Sequence, residues 1–157
     1  MREKGSPSIP IRPPMVLYAG LAVGGLLDYA ADVRFLPDSL GFLSSLSGYA
    51  LLAVSIGLMF MACTAFRREH TNVRTDRPAE SVVADGIFRF TRNPMYLSFC
   101  LLGLSLSLIL NSLWVLLGTF PFCVYIHHVV IPEEERYMEK RFGDAYLNYR
   151  RRTPRWL

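Results

Sequence analysis

"PMYLSFCLLGLSLSLILNSLWVLLGTFPFCVYIHHVVI" (residues 94–131) holds two apolar runs separated only by Asn111-Ser112. The first covers residues 94–110 and the second residues 113–131. Each approaches the roughly 20 apolar residues that a helix needs to cross a bilayer. Pro94 suits a helix start, because a first-turn N–H has no intrahelical partner for the ring to remove. Asn-Ser suits the tip of a tight helical hairpin. Upstream lie two more apolar runs, residues 15–36 and residues 41–66, the first interrupted late by Asp28, Asp32 and Arg34. No strand-like alternation accompanies them. The expectation is an all-α integral membrane protein with four transmembrane helices.

The distribution of charge supports that count. Of 17 Lys and Arg residues, three precede the first run, six lie between Phe66 and Pro94, and seven follow Ile131. Only Arg34 falls elsewhere, so a four-span topology gathers sixteen of them on one side. By the positive-inside rule that side is the cytoplasm, with both termini there. Three or five spans would scatter the charges. At 157 residues the chain reads as a single domain. Its net charge of +4 is interleaved with apolar runs instead of lining a soluble face, which favours a membrane over nucleic acid as partner. Cys63, Cys100 and Cys123 all fall within apolar runs, without the spacing of a disulfide framework or a metal site, and read as buried, inert thiols. The N-terminal stretch lacks a short apolar core followed by a small-residue cleavage site, so no removable signal is expected. That and the compact layout point to a bacterial-type inner membrane.

Two segments are left to carry chemistry. The loop "RREHTNVRTDRPAESVVADGIFRFTRN" (67–93) is longer than antiparallel spans need. Its arginines fit a solvated loop; Val82, Val83, Ile87 and Phe88 favour one folded back under the bundle. The tail "IPEEERYMEKRFGDAYLNYRRRTPRWL" (131–157) starts with a proline expected to end or kink the fourth span. Glu133, Glu134 and Glu135 then either cap a surface helix or grip a cationic or polyhydroxyl ligand. Tyr137, Met138, Phe142, Tyr146 and Tyr149 recur at helical spacing and mark an amphipathic helix against the bundle or the interface. Arginines and Asn93 facing carboxylates would suit a zwitterionic ligand that carries a ribose.

These residues resemble a known family. Gly86, then Arg92-Asn93-Pro94-Met95-Tyr96, then Glu134-Glu135, then Phe142-Gly143-Asp144-Ala145-Tyr146 with Tyr149 is similar to the linked motifs of the isoprenylcysteine carboxyl methyltransferase and phospholipid methyltransferase superfamily. The resemblance covers about residues 71–157. It implies a membrane methyltransferase that uses S-adenosyl-L-methionine, with a cofactor pocket built from the loop and the C-terminal helix. Glu80, Ser81, Val82 and Val83 would line the adenosine, with Phe88 beside it. Asn93, Pro94, Met95 and Tyr96 would hold the methionine end, and Glu134, with Glu135, the ribose or ammonium group. Arg92 and His128 are the candidates for a catalytic role.

Two departures from the family pattern matter. Asn93 stands where His is common, which keeps hydrogen bonding and removes a titratable group. The isoprenylcysteine enzymes also carry an Arg just upstream of the acidic pair, where this chain has His127-His128. The resemblance implies a lipophilic acceptor entering from the bilayer, most like a prenylcysteine carboxylate, with the amine of a phospholipid head group as the alternative. A more distant alternative is an NADPH-dependent reductase resembling the sterol reductases, with residues 150–152 as its phosphate cluster. No metal is expected, because the histidines lack further ligands nearby. The carboxylate of Asp28 is assigned a structural role at the outer interface, near Asp32 and Arg34. The small residues Gly48, Ser55 and Gly57 are expected to permit close helix approach.

Overall fold

Prolines open two of the long helices. α1 (Pro13–Ala30) and α3 (Pro94–Leu110) each carry Pro in the first turn, where its fixed φ and missing N–H cost nothing. The computed structural model describes residues 7, 9–68, 79 and 81–157. A single 3₁₀ turn (Asp38–Leu40) leads into α2 (Gly41–Arg68), and a second (Gly86–Arg89) precedes α3. α4 (Leu113–Tyr125) continues through a π-helical turn (Ile126–Val130) into α5 (Ile131–Phe142). α6 (Asp144–Arg152) follows Gly143, whose φ of 53° breaks the helix. The described residues are helical apart from the loops and one isolated antiparallel bridge, Arg34 with Ser112.

The α3–α4 hairpin turns at Asn111-Ser112, as the sequence indicates. Asn111 adopts a left-handed conformation (φ 48°), and the Ser112 hydroxyl caps α4 by accepting from the Val115 N–H at 3.2 Å. The Asn111 amide also accepts from the Leu36 N–H (3.0 Å) and donates to the Leu36 carbonyl (2.8 Å). These bonds account for a correction to the first span. Instead of running through residues 15–36, the helix stops at Ala30, and the following residues lie across the hairpin tip. There Leu113 N–H donates to Val33, and the Trp114 indole donates to Ala31. Arg34 pairs with Asp32 at 2.8 Å and donates to the Leu110 carbonyl. Asp28 is half-buried, with one carboxylate oxygen sealed off and unpartnered.

The other end of the hairpin departs from expectation too. Pro132 does not end the helix. Its ring would clash with the carbonyl four residues back, and the π-helical turn that precedes it widens the helix at that point. The backbone therefore passes unbroken from the apolar run into the acidic residues. The apolar portion still ends at Ile131.

α1 packs mainly on α4 and α2 on α3, and the hairpin joins the two pairs. Contact depends on missing side chains. A Cβ on Gly20 would sit 2.0 Å from the Gly118 carbonyl oxygen, and one on Gly118 would sit 2.3 Å from that of Gly20. On α2, Gly48 lies against Ile109, and the Ser55 and Ser44 hydroxyls donate to the carbonyls of Ser98 and Leu108 on α3 (2.8 and 2.7 Å). Gly57 meets nothing within 4 Å, so it is not part of this interface. Cys100 and Cys123 meet across α3 and α4 as half-buried free thiols, the Cys123 S–H donating to the Cys100 sulfur at 3.3 Å.

Among the described residues, two helical stretches are long and apolar enough to cross a membrane, Asp38–Arg68 and Leu113–Phe142, and Pro94–Leu110 is a shorter apolar helix. Phe42, Leu46, Phe60 and Phe120 are exposed on these helices, as lipid contact would require. Gly118→Val should lower the thermal stability of the purified protein in detergent by about 1–3 kcal/mol through overpacking. Gly57→Ala should leave it unchanged or slightly raised.

Candidate functional site

Residues 81–93 of the loop after α2 pack back against the ends of the helices and the tail. Phe88, in the 3₁₀ turn, is buried edge-on against Phe66 at 5.1 Å. Two tyrosines of the tail hold the loop: the Tyr149 hydroxyl donates to the Phe88 carbonyl (2.8 Å), and the Ala79 N–H donates to the Tyr137 hydroxyl (3.0 Å). Burial raises the Tyr146 and Tyr149 phenols, so both remain protonated, Tyr149 as the donor to Phe88.

Residues 91–93 are gripped by the C-terminal segment. Arg92 N–H donates to the Pro154 carbonyl (3.0 Å), while the Thr91 hydroxyl (3.3 Å) and the Asn93 side-chain amide (2.9 Å) both donate to the Arg155 carbonyl. Glu135 locks this contact. Its Oε1 accepts from Arg92 at 2.8 Å, and its Oε2 from Arg155 at 2.7 Å, in a site where the Glu135 side chain is 9% exposed and that of Arg92 11%. Arg92 also donates to the Tyr146 hydroxyl (3.4 Å), and its Nε is buried without a partner.

The three acidic residues have separate environments. Glu133 pairs with Arg136 at 2.7 Å, one turn along α5. Glu135 is consumed by its two arginines. Glu134 is half-buried, and among the described residues its hydrogen-bond partner is the Tyr96 hydroxyl, which donates to Oε1 at 2.6 Å. It lines both of the cavities beside it.

Two cavities adjoin here. The smaller, about 160 Å³, lies between the loop (Ser81, Val82, Val83, Phe88) and the tail (Tyr137, Met138, Tyr146, Tyr149). The larger, about 470 Å³ and mostly apolar, runs between the start of α1 (Arg12 to Met15) and the start of α3 (Pro94, Met95, Tyr96, Phe99). Phe66, Phe88, Arg92, Asn93 and Glu134 line both and form the common wall.

Most residues singled out in the sequence therefore converge. Ser81, Val82, Val83 and Glu135 line the smaller cavity, Pro94, Met95 and Tyr96 the larger, and Phe88, Arg92, Asn93 and Glu134 both. Glu80 lies outside the described residues. His128 is exposed and lines neither cavity; its neighbour His127 accepts from the Trp156 indole at 3.2 Å. Sequence reasoning missed Phe66, Arg155 and the residues opening α1. A Pro-Arg-Trp near the chain end was the available signal for Arg155; the α1 residues, far away in sequence, gave none. Among the described residues no three potential metal ligands cluster.

Burial pushes the Glu134 carboxyl from 4.5 up to about 7; the Tyr96 hydrogen bond opposes the shift and the nearby Glu135 charge adds to it. A carboxyl raised in the folded state contributes stability that is complete below the unfolded value and lost as pH rises through the folded one. The ligand-free protein should thus lose thermal stability between pH 5 and pH 8 relative to Glu134→Gln, in which this slope disappears. Identical pH profiles for the two would contradict this reading of Glu134.

The profile of the phospholipid methyltransferase family matches residues 43–145, from the second helix through the acidic residues to the start of α6. An uncharacterized protein of Haemophilus influenzae is 40% identical over 63 residues, which are 40% of this chain and the whole of that protein. The match takes in the five residues of the common wall, and on it the chain belongs to the phospholipid methyltransferase family.

Proposed function

We propose that the protein is a membrane-embedded methyltransferase that takes its methyl group from S-adenosyl-L-methionine and delivers it to a lipophilic acceptor. One observation carries the reading: two cavities of different character share a wall in which the motif residues Arg92, Asn93 and Glu134 stand beside Phe66 and Phe88. A two-substrate transfer needs two sites meeting at one point.

The residues present suit the donor. Val82, Val83, Phe88 and Tyr149 offer an apolar slot for the adenine, and the first turn of α3 has backbone N–H groups free for a carboxylate. The smaller cavity is below the roughly 300–1,000 Å³ of small-molecule sites, while the two together fall within it. The methionine end would therefore extend to the common wall, where Asn93 and Glu134 stand. When bound, the sulfonium supplies an activated methyl group for direct displacement. The chain's own share is positioning and exclusion of water, through Phe66 and Phe88 at the wall and the tyrosine-held loop above.

The larger cavity would take the acceptor. Its apolar lining suits a lipid chain, and Arg12 on its wall suits an anionic group beside that chain. A prenylcysteine carboxylate and a phospholipid phosphodiester both supply one. The reductase alternative is weakened because residues 150–152 line neither cavity; Arg150 instead bonds to Glu139 and Arg151 to Asn148. We place the chain across the membrane four times, α1 and α3 included, with both termini cytoplasmic. The gathering of sixteen basic residues on one side supports this.

Calorimetric titration in detergent should show micromolar binding of S-adenosylmethionine and S-adenosylhomocysteine, and none of NADPH. Asn93→Ala should fold yet bind both adenosyl ligands about 10–100-fold more weakly, the worth of a hydrogen bond to a charged group. Farnesylcysteine analogues and phosphatidylethanolamine vesicles, offered with labelled donor, separate the two acceptors. Binding of NADPH alone would move the chain to the reductases.

A further inference from the structure

The arm that precedes α1 lies outside the family match, which begins at residue 43. Pro7 is nevertheless buried and lines the smaller cavity, whose other lining residues lie between positions 66 and 149. Further along the arm, Arg12 begins the stretch to Met15 that lines the larger cavity. The arm thus reaches both cavities from a part of the sequence remote from the common wall. Two contacts pin it between them. Ile9 is 5% exposed and belongs to the apolar cluster that contains Tyr96, from the larger cavity, and Ile131, from the smaller. Next, Tyr125 of α4 clips the backbone: Ile11 N–H donates to its hydroxyl at 3.1 Å, and that hydroxyl donates to the Ile11 carbonyl at 2.8 Å. A tight turn joins Pro7 to Ile9, whose N–H donates to the Pro7 carbonyl (3.1 Å). Prolines at positions 7, 10, 13 and 14 remove donors that would need partners and restrict the free arm, so pinning it costs less entropy. Chain ends are ordered where they are tied down, and this one is tied down across the site.

We infer that this N-terminal arm is a binding wall of the donor cavity, supplied from outside the family's motifs, and that Ile9 and Tyr125 are the positioning residues that hold it there. The inference rests on the function proposed above, under which the smaller cavity takes the adenosine. At about 160 Å³ that cavity is tighter than small-molecule sites usually are, so an adenosine seated in it meets Pro7 as well as the loop and the tail. Held down, the arm slows the donor's escape. Released, it opens that side of the cavity and loosens the start of α1 on the acceptor side. Ile9 and Tyr125 do this without lining either cavity themselves.

The test reads the arm directly. Pro7→Cys, in a chain that also carries Cys63→Ala, Cys100→Ala and Cys123→Ala, is treated in detergent with a water-soluble maleimide. Saturating S-adenosylhomocysteine should slow modification of the introduced thiol at least about tenfold, because the reagent reaches it only when the arm lifts. Ile11→Cys, at a position 52% exposed that lines neither cavity, should react at the same rate with and without the ligand. In chains with their native cysteines, S-adenosylhomocysteine should dissociate about 3–10-fold faster from Tyr125→Phe, which loses only the clip, and at least about tenfold faster from Ile9→Asp. Ser55→Ala removes a hydrogen bond between α2 and α3 and lines neither cavity; it should lower the thermal midpoint and leave dissociation unchanged. If Pro7→Cys or Ile9→Asp does not fold, Tyr125→Phe set against Ser55→Ala carries the comparison. Equal modification rates with and without the ligand, or dissociation unaltered in Tyr125→Phe and Ile9→Asp, overturn the arm's role and leave the methyltransferase reading intact. Failure of the wild-type chain to bind S-adenosylhomocysteine overturns both.

Discussion

The Glu135 carboxylate, shared between Arg92 and Arg155, is the contact on which the site depends. It joins three parts of the chain: the loop before α3, the start of α5 and the C-terminal segment. Removing one partner of such a buried pair typically costs about 3–5 kcal/mol, because the others are left charged and dry. Three hydrogen bonds from residues 91–93 to the carbonyls of Pro154 and Arg155 run alongside it. The common wall of the two cavities is thus set by residues more than sixty positions apart in sequence. Most of its polar groups then reach the ends of apolar helices with partners, the Arg92 Nε excepted.

The bundle above the site follows a different logic. Its helices approach through glycine and hydroxyl contacts, Gly20 on Gly118 and Ser44 and Ser55 on the carbonyls of α3, beside an apolar cluster around Leu17, Phe122 and Ile126. In lipid, where apolar side chains gain little by leaving the solvent, close backbone packing and internal hydrogen bonds are what remain to hold helices together. The π-helical turn at residues 126–130 connects the two regimes. It carries the backbone past Pro132 without a break, so Glu134 and Glu135 are held at fixed positions relative to α4.

Much of this was legible from residues. Pro94, the Asn111-Ser112 tip and the loop's apolar residues each fix local structure through a local cause, and each stands where expected. The end of α1 was not legible. Residues 31–36 leave the helix because the hairpin tip offers them partners, a tertiary fact invisible in an apolar run. Helix continuity through Pro132 depends on a π-turn that no hydropathy pattern signals. In the site, the motif identified Asn93, Glu134 and Glu135 but gave the two glutamates one role. Only the ion pairs separate them. Arg155 was hidden for the same reason: its importance lies in a carbonyl and a distant carboxylate. The residues opening α1 reach the larger cavity through folding alone.

The central claim is that one wall serves two substrates. An experimental structure of the protein with S-adenosylhomocysteine tests it most directly. The adenosine should lie between Val82, Phe88 and Tyr149, the homocysteine end at Asn93 and Glu134, and the sulfur at the opening to the larger cavity. A ligand seated elsewhere, or one whose sulfur is closed off from the cavity lined by Met15 and Phe99, would contradict the account.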